Sequence, residues 1–241
     1  MSSSFEKYKL AGAYHWDIFS RNLFRHHLFT LARYNSVLEA AQIQDGESVC
    51  DLGCGDGALT FLIWQLNQNG RIVGVDPDAT GRNLAAEMFK TKGARAIFLE
   101  SSCTIADCSQ DLVICAEVIE HVMEPEKLMQ EITRILKPGA RCVISTPVAS
   151  PGKMLDNQHV REFSPNQLRY FLANYLKISD HLYSTSAFAL SLYQWSPRLF
   201  FGKPLLRYLL NAISLWFGIN LLGNFKFFSK WVTQTVVCVK E

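Results

Sequence analysis

The chain has 241 residues, is 49% hydrophobic and 19% charged, and so carries enough apolar material for one substantial core while lying outside the disordered and fibrous classes. A net charge of +2, from 24 Lys and Arg against 22 Asp and Glu, gives no ground for a DNA partner. Seven cysteines, odd in number and without a CxxC pair, argue against a zinc ribbon or disulfide framework and fit a reducing cytoplasm; the first residues hold no apolar stretch of the kind that marks export.

Residues 1–45 read as a helical lead-in rich in aromatic and basic residues, with Tyr14, His15 and Trp16 as candidates to reach a pocket. From Ser48 onward, short β-branched runs alternate with helical patterns. "SVCDLG", "RIVGVD", "RAIFLE", "DLVICAE" and "ARCVIST" predict strands; "ALTFLIWQLNQ", "TGRNLAAEMFKTKG" and "EPEKLMQEITRILKPG" predict helices. In the last of these, Leu128, Met129, Ile132, Ile135 and Leu136 follow helical spacing, with Pro125 at the start and Lys137-Pro138-Gly139 as the stop. Such alternation predicts parallel βαβ units in an α/β fold, a sheet covered on both faces, with ligands at the carboxyl ends of the strands.

A loop over Pro147 to His159 precedes "SPNQLRYFLANY", a helix capped by Ser164 with Pro165 in its first turn. "LKISDHLYS" closes a core of residues 46–186, and "WVTQTVVCVKE", within residues 231–241, supplies its final strand. Residues 187–230 form an apolar, basic insertion between these two.

In "VCDLGCGDGALTF" a strand runs into a glycine turn and a helix start, so Gly53, Gly55 and Gly57 permit close backbone approach to a ligand. The turn also satisfies the relaxed dinucleotide pattern, which leaves a NAD-dependent oxidoreductase as one reading. Two carboxylates, Asp51 and Asp56, would oppose a pyrophosphate electrostatically, whereas the methionine part of S-adenosylmethionine (SAM) offers an ammonium for an acidic residue to meet.

Together, "VCDLGCGDG", "VGVDPD", "DLVICAEVIEHV", "LKPGARCVISTP" and "HVREFSPNQL" resemble the SAM-dependent methyltransferases of the Rossmann-like fold, the likeness covering about residues 46–180. The resemblance implies a three-layer sandwich around a seven-stranded, mostly parallel sheet whose last strand is antiparallel. It also implies that Asp51 serves the methionine ammonium, that Gly53, Cys54 and Gly55 line the methionine part, and that Asp76, followed by Pro77, accepts the ribose hydroxyls. Glu100-Ser101-Ser102-Cys103 stands where many relatives carry an acidic adenine ligand, a role left to Ser101 or the Cys103 backbone, and Glu117 falls near the methionine part.

"CAEVIEHV" brings Glu117, Glu120 and His121 together, and three readings compete. The segment lines the cofactor pocket without moving a proton, or His121, with His159, acts as a base toward an acceptor hydroxyl. In the third reading, Glu117, Glu120, His121 and His159 ligate Mg²⁺ or Mn²⁺, as a resemblance to small-RNA 2′-O-methyltransferases implies. A site without metal, with His121 and His159 as the catalytic candidates, is expected, EDTA leaving turnover intact. Two histidines near the methyl position favour an oxygen acceptor.

"PLLRYLLNAISLWFGINLLGNFKFF" nears transmembrane length but is interrupted by Arg207, Asn211, Asn220, Asn224 and Lys226. Two readings are balanced: a helical hairpin in peripheral contact with a membrane through residues 195–230, bordered by Trp195, Trp216 and Trp231, or packing as a lid or homodimer face. The acceptor then reads as a small or lipid-linked molecule, as in the ubiquinone-pathway O-methyltransferases that the core resembles. An RNA 2′-O-methyltransferase and a non-catalytic SAM- or membrane-binding scaffold are the alternatives.

Overall fold

The computed structural model describes residues 7–149, 157–195, 204–224 and 230–241. The middle of the loop after Pro147, and Arg198, Lys203 and Lys226 of the insertion, lie outside the described residues.

Seven strands form one sheet in the order β3-β2-β1-β4-β5-β7-β6. They are β1 (Val49–Leu52), β2 (Ile72–Val75), β3 (Ile97–Leu99), β4 (Gln110–Ala116), β5 (Leu136–Pro147), β6 (Lys177–Ser186) and β7 (Trp231–Val239). All neighbours pair in parallel except β7, which runs antiparallel to both β5 and β6. Since successive side chains leave a strand on opposite faces, each central strand feeds two cores. Cys50, Leu52, Val113 and Cys115 pack on one side with Met129, Ile132 and Ile135 of α5 (Pro125–Ile135) and Leu168 and Leu172 of α6 (Pro165–Leu172). Val49, Ile72, Leu112 and Ile114 pack on the other with Val37 and Ala41 of α2 (Leu28–Ala41), Phe61 and Ile63 of α3 (Ala58–Leu66), and Phe89 of α4 (Ala79–Lys92).

Two local differences from the sequence reading stand out. The fifth strand starts at Leu136, which pairs with Gln110, so the helix ends at Ile135 and not at Gly139. Pro138 disfavours a helical residue before it, and the Gly139 N–H donates instead to the Lys240 carbonyl at 2.8 Å. The lead-in is broken into α1 (Lys7–Ala11), a 3₁₀ turn over Tyr14–Phe19, and α2. Ser164 caps α6 as expected, in a full capping box with Gln167.

The described part of the insertion comprises α7 (Ala187–Gln194), α8 (Leu205–Phe217) and α9 (Leu221–Asn224). Ala189, Tyr193 and Leu222 pack against Leu28 and Ala32 of α2. No helix among the described residues is long and apolar enough to cross a membrane.

Candidate active site

β1 delivers Asp51 to the floor of a cavity of about 70 Å³, lined also by Gly53, Cys54, Ala116, Glu117, Tyr8, His15, Arg33 and Tyr34. Four of the sequence-assigned residues, Asp51, Gly53, Cys54 and Glu117, thus share one cavity. Asp51 is 1% exposed and accepts a hydrogen bond from the Thr60 hydroxyl at 2.5 Å, and burial pushes its carboxyl up to about 7. Asp76, also raised mainly by burial, accepts the Gly55 N–H at 2.9 Å and the Asp78 N–H at 2.8 Å. That bond fixes the glycine turn to the end of β2. Pro77 is exposed just beyond it, and Ser101 is exposed after β3, its hydroxyl accepting the Cys103 N–H at 3.3 Å. Neither Pro77 nor Ser101 lines the cavity.

The glycines do what the turn demands of them. Gly53 and Gly55 have φ of +84° and +52°, and a Cβ on Gly53 would collide with Val118 while one on Gly55 would collide with the Tyr8 hydroxyl. Tyr8 therefore lies over the turn, stacked on Tyr14 with ring centroids 5.8 Å apart. The lead-in is clamped there by Asp56, whose carboxylate accepts the His15 N–H at 3.0 Å and whose carbonyl accepts the Trp16 indole N–H at 2.7 Å. His15 Nδ1 sits 3.2 Å from the same carboxylate. The second acidic residue of the turn is thus an anchor for a cover over the cofactor cleft.

Glu117 directly follows β4 with φ +57°, a strained conformation for a residue other than glycine. One carboxylate oxygen accepts from Arg33 at 2.6 Å and the other from the Ser145 hydroxyl at 3.1 Å. Arg33, from α2, is an essential partner that sequence reasoning missed; its one trace was a lone arginine in the apolar stretch "FTLARYNSV". Arg33→Met leaves a mostly buried carboxylate without its counter-ion and is expected to cost about 3–5 kcal/mol in chemical denaturation. A loss below about 1 kcal/mol, the range of exposed ion pairs, would contradict that.

Beyond Glu117 lies a second cluster. Ligand atoms of Glu120, His121 and His159 lie within 4.8 Å of one another, and the two imidazole centroids are 5.0 Å apart. Glu120 is fully buried; Oε2 accepts from the Thr146 hydroxyl at 2.9 Å, while Oε1 has no hydrogen-bond partner among the described residues. Burial, then the Glu117 charge, pushes its carboxyl up to about 8. His121 Nδ1 donates to the Gln158 carbonyl at 2.8 Å, and His159 Nδ1 donates to the Glu162 carboxylate at 2.9 Å. Each neutral imidazole therefore carries its lone pair on Nε2, the arrangement typical of metal-ligating histidines with a hydrogen-bonded second nitrogen. A buried carboxylate and two imidazoles whose ligand atoms lie within 4.8 Å of one another make a donor set that fits a divalent cation. Glu117 stands apart from this group, because Arg33 and Ser145 already occupy both of its oxygens.

Comparison with known proteins agrees with this geometry. A family model described as "Methyltransferase domain" matches residues 43–187, more than half of the chain. A ubiquinone biosynthesis O-methyltransferase of Sodalis glossinidius is 28% identical over 147 residues, covering 60% of this chain and 59% of that protein. The chain spans about half the length of the curated relatives it matches. Among solved structures, Haemonchus contortus phosphoethanolamine N-methyltransferase 2, in complex with phosphomonomethylethanolamine and S-adenosylhomocysteine, aligns with TM-score 0.67 at 18% identity, over 98% of this chain and 59% of that one. Coclaurine N-methyltransferase, bound to N-methylheliamine and S-adenosylhomocysteine, aligns with TM-score 0.63 at 22% identity, over 88% of this chain and 70% of that one. Fold, cleft and family model converge: the chain belongs to the methyltransferase domain family, whose methyl donor is SAM.

Proposed function

We propose that the protein moves the methyl group of SAM to an oxygen of a small or lipid-linked acceptor, with Glu120, His121 and His159 forming the acceptor end of the site. The observation that carries this reading is the cluster of Glu120, His121 and His159, with ligand atoms within 4.8 Å of one another and Nδ1 of both imidazoles engaged, next to the Glu117 that lines the cofactor cavity. An amine acceptor is already nucleophilic once neutral; a hydroxyl gains most from a neighbouring base or cation. The likeness to a ubiquinone biosynthesis O-methyltransferase supports oxygen as the target.

In the transfer the acceptor oxygen forms a bond to the methyl carbon as the carbon–sulfur bond breaks, and the electron pair stays on sulfur in neutral S-adenosylhomocysteine. Asp51 and the Gly53–Gly55 backbone hold the methionine end, and Asp76 the ribose. Arg33 keeps Glu117 in place beside them. With the site free of metal, the acceptor's proton passes to His121 or His159; with a cation on those nitrogens, it leaves to solvent from the acidified hydroxyl. Glu120, His121 and His159 would hold a divalent cation, which when bound lowers the acceptor hydroxyl's pKa and aligns its oxygen. The ligand cluster favours this over the metal-free site that the sequence alone suggested.

The test is turnover with SAM carrying a deuterated methyl group, offered tailed phenols, untailed phenols, primary amines and a short RNA. Label on phenolic oxygen is expected. Label on nitrogen alone would overturn the reading, and label on ribose 2′-oxygen would assign the site to RNA.

A further inference from the structure

Helix α8 presents the reverse of a normal surface helix. Leu205, Leu209 and Trp216 fall within about 40° of one another on the helix and are exposed, Leu209 to 57% and Trp216 to 82%, with Phe217 exposed to 69% at its end. The opposite face carries Asn211 and Ser214, both buried. Asn211 donates to the Leu23 and His26 carbonyls at 2.8 and 2.9 Å and accepts from the Tyr193 hydroxyl at 3.0 Å. Arg207 lies with its guanidinium 5.3 Å from the Tyr193 ring. These polar bonds fix which way the helix faces, so the apolar stripe is held outward rather than left there by a loose fit. A helix in water would place these faces the other way round.

We infer that this face is a docking surface for an anionic lipid membrane. Charge supports the choice of occupant. Residues 181–240 contain six Lys and Arg and no Asp or Glu. Phe24, exposed in the turn that also carries Arg21 and an Arg25 ion-paired with Asp17 at 2.9 Å, packs edge-on against Tyr208 of α8 at 4.8 Å, which brings Arg21's segment to the same helix. Exposed tryptophan and leucine on a basic, acid-free segment is the composition that inserts into the headgroup boundary of an acidic bilayer. A second copy of the chain suits it poorly, because a two-fold contact would set the same acid-free segment against itself. The helix is too short to span a bilayer and would lie along it. One helix further in, α2 carries both the residues that seat α7 and α9 and the Arg33 that holds Glu117, so a docked molecule keeps its cleft close to the lipid.

Flotation with phosphatidylcholine vesicles, with and without phosphatidylglycerol and in the absence of SAM and acceptor, tests the surface independently of the methyl-transfer reading. The wild-type chain is expected to float with the acidic vesicles and to be released by high salt; the Leu209→Glu/Trp216→Glu variant, its thermal transition and SAM binding intact, is expected to bind about tenfold or more weakly. Brominated phosphatidylglycerol should quench wild-type tryptophan fluorescence, a readout that needs no variant. Equal flotation of the two proteins, or absence of quenching, would overturn the proposal. So would a lipid-independent dimer in light scattering that the variant abolishes, since it would give the face to a second copy.

Discussion

Asp51→Asn is expected to weaken SAM binding by about 10–100-fold and at the same time to raise the protein's melting temperature at neutral pH. The first effect follows from loss of the charge-assisted contact to the methionine ammonium that the proposed function gives Asp51, a kind of contact typically worth about 1.5–3 kcal/mol. The second follows from burial. An ordinary carboxyl ionises near 4, but in the fold Asp51 ionises near 7. Its charged form is therefore disfavoured in the folded state: the cost is absent below the unfolded value, grows as pH rises between the two, and is complete above about 7. Asn keeps an acceptor for the Thr60 hydroxyl and removes that cost. At pH 8 the gain should shift melting upward by about 4 °C or more, and at pH 4 it should vanish. Wild-type SAM affinity should fall as pH drops below 7, with proton release on binding visible as a buffer-dependent calorimetric enthalpy. An unchanged melting temperature at pH 8, or unchanged affinity in the variant, would contradict this account of Asp51.

Chelation of divalent metal, and Glu120→Gln or His159→Ala, are each expected to lower kcat by about 10²–10⁴-fold, with SAM affinity within about twofold of wild type. The separation between the two readouts follows from the structure, because Glu120, His121 and His159 lie outside the cavity that contains Asp51 and the glycine turn. Mn²⁺ should restore chelated enzyme and should bind with measurable heat to the wild type but not to the variants. Calorimetry with Mn²⁺ alone does not depend on knowing the acceptor. Turnover intact in EDTA together with absence of Mn²⁺ binding would return the site to the metal-free form, with the histidines acting as proton acceptors only.

What could be read from the sequence is what short range determines. The strands β1, β2 and β4 are apolar runs because both faces of a central parallel strand are buried, and Asp51, the glycine turn and Glu117 stand out because they follow such runs within a few residues. The pairing of Arg33 with Glu117 spans 84 positions, and the clamp from His15 to Asp56 spans 41, so no local pattern announces either. His121 and His159 were suspected as a pair, but whether the 37 intervening residues would fold them together depended on the end of β5 and the backbone of Val160 and Arg161, whose N–H groups bond to the Glu120 carbonyl. The insertion was legible as apolar and basic. That its polar side chains face inward was not, because the partners of Asn211 are carbonyls of the lead-in almost two hundred residues earlier.

The central claim is that the cleft between β1, β2 and β4 is built for SAM and not for a dinucleotide. Calorimetric titration of the wild-type chain with SAM, S-adenosylhomocysteine and NAD tests it most directly. The account predicts one site for each of the first two and no binding of NAD; tight binding of NAD with none of SAM would contradict it.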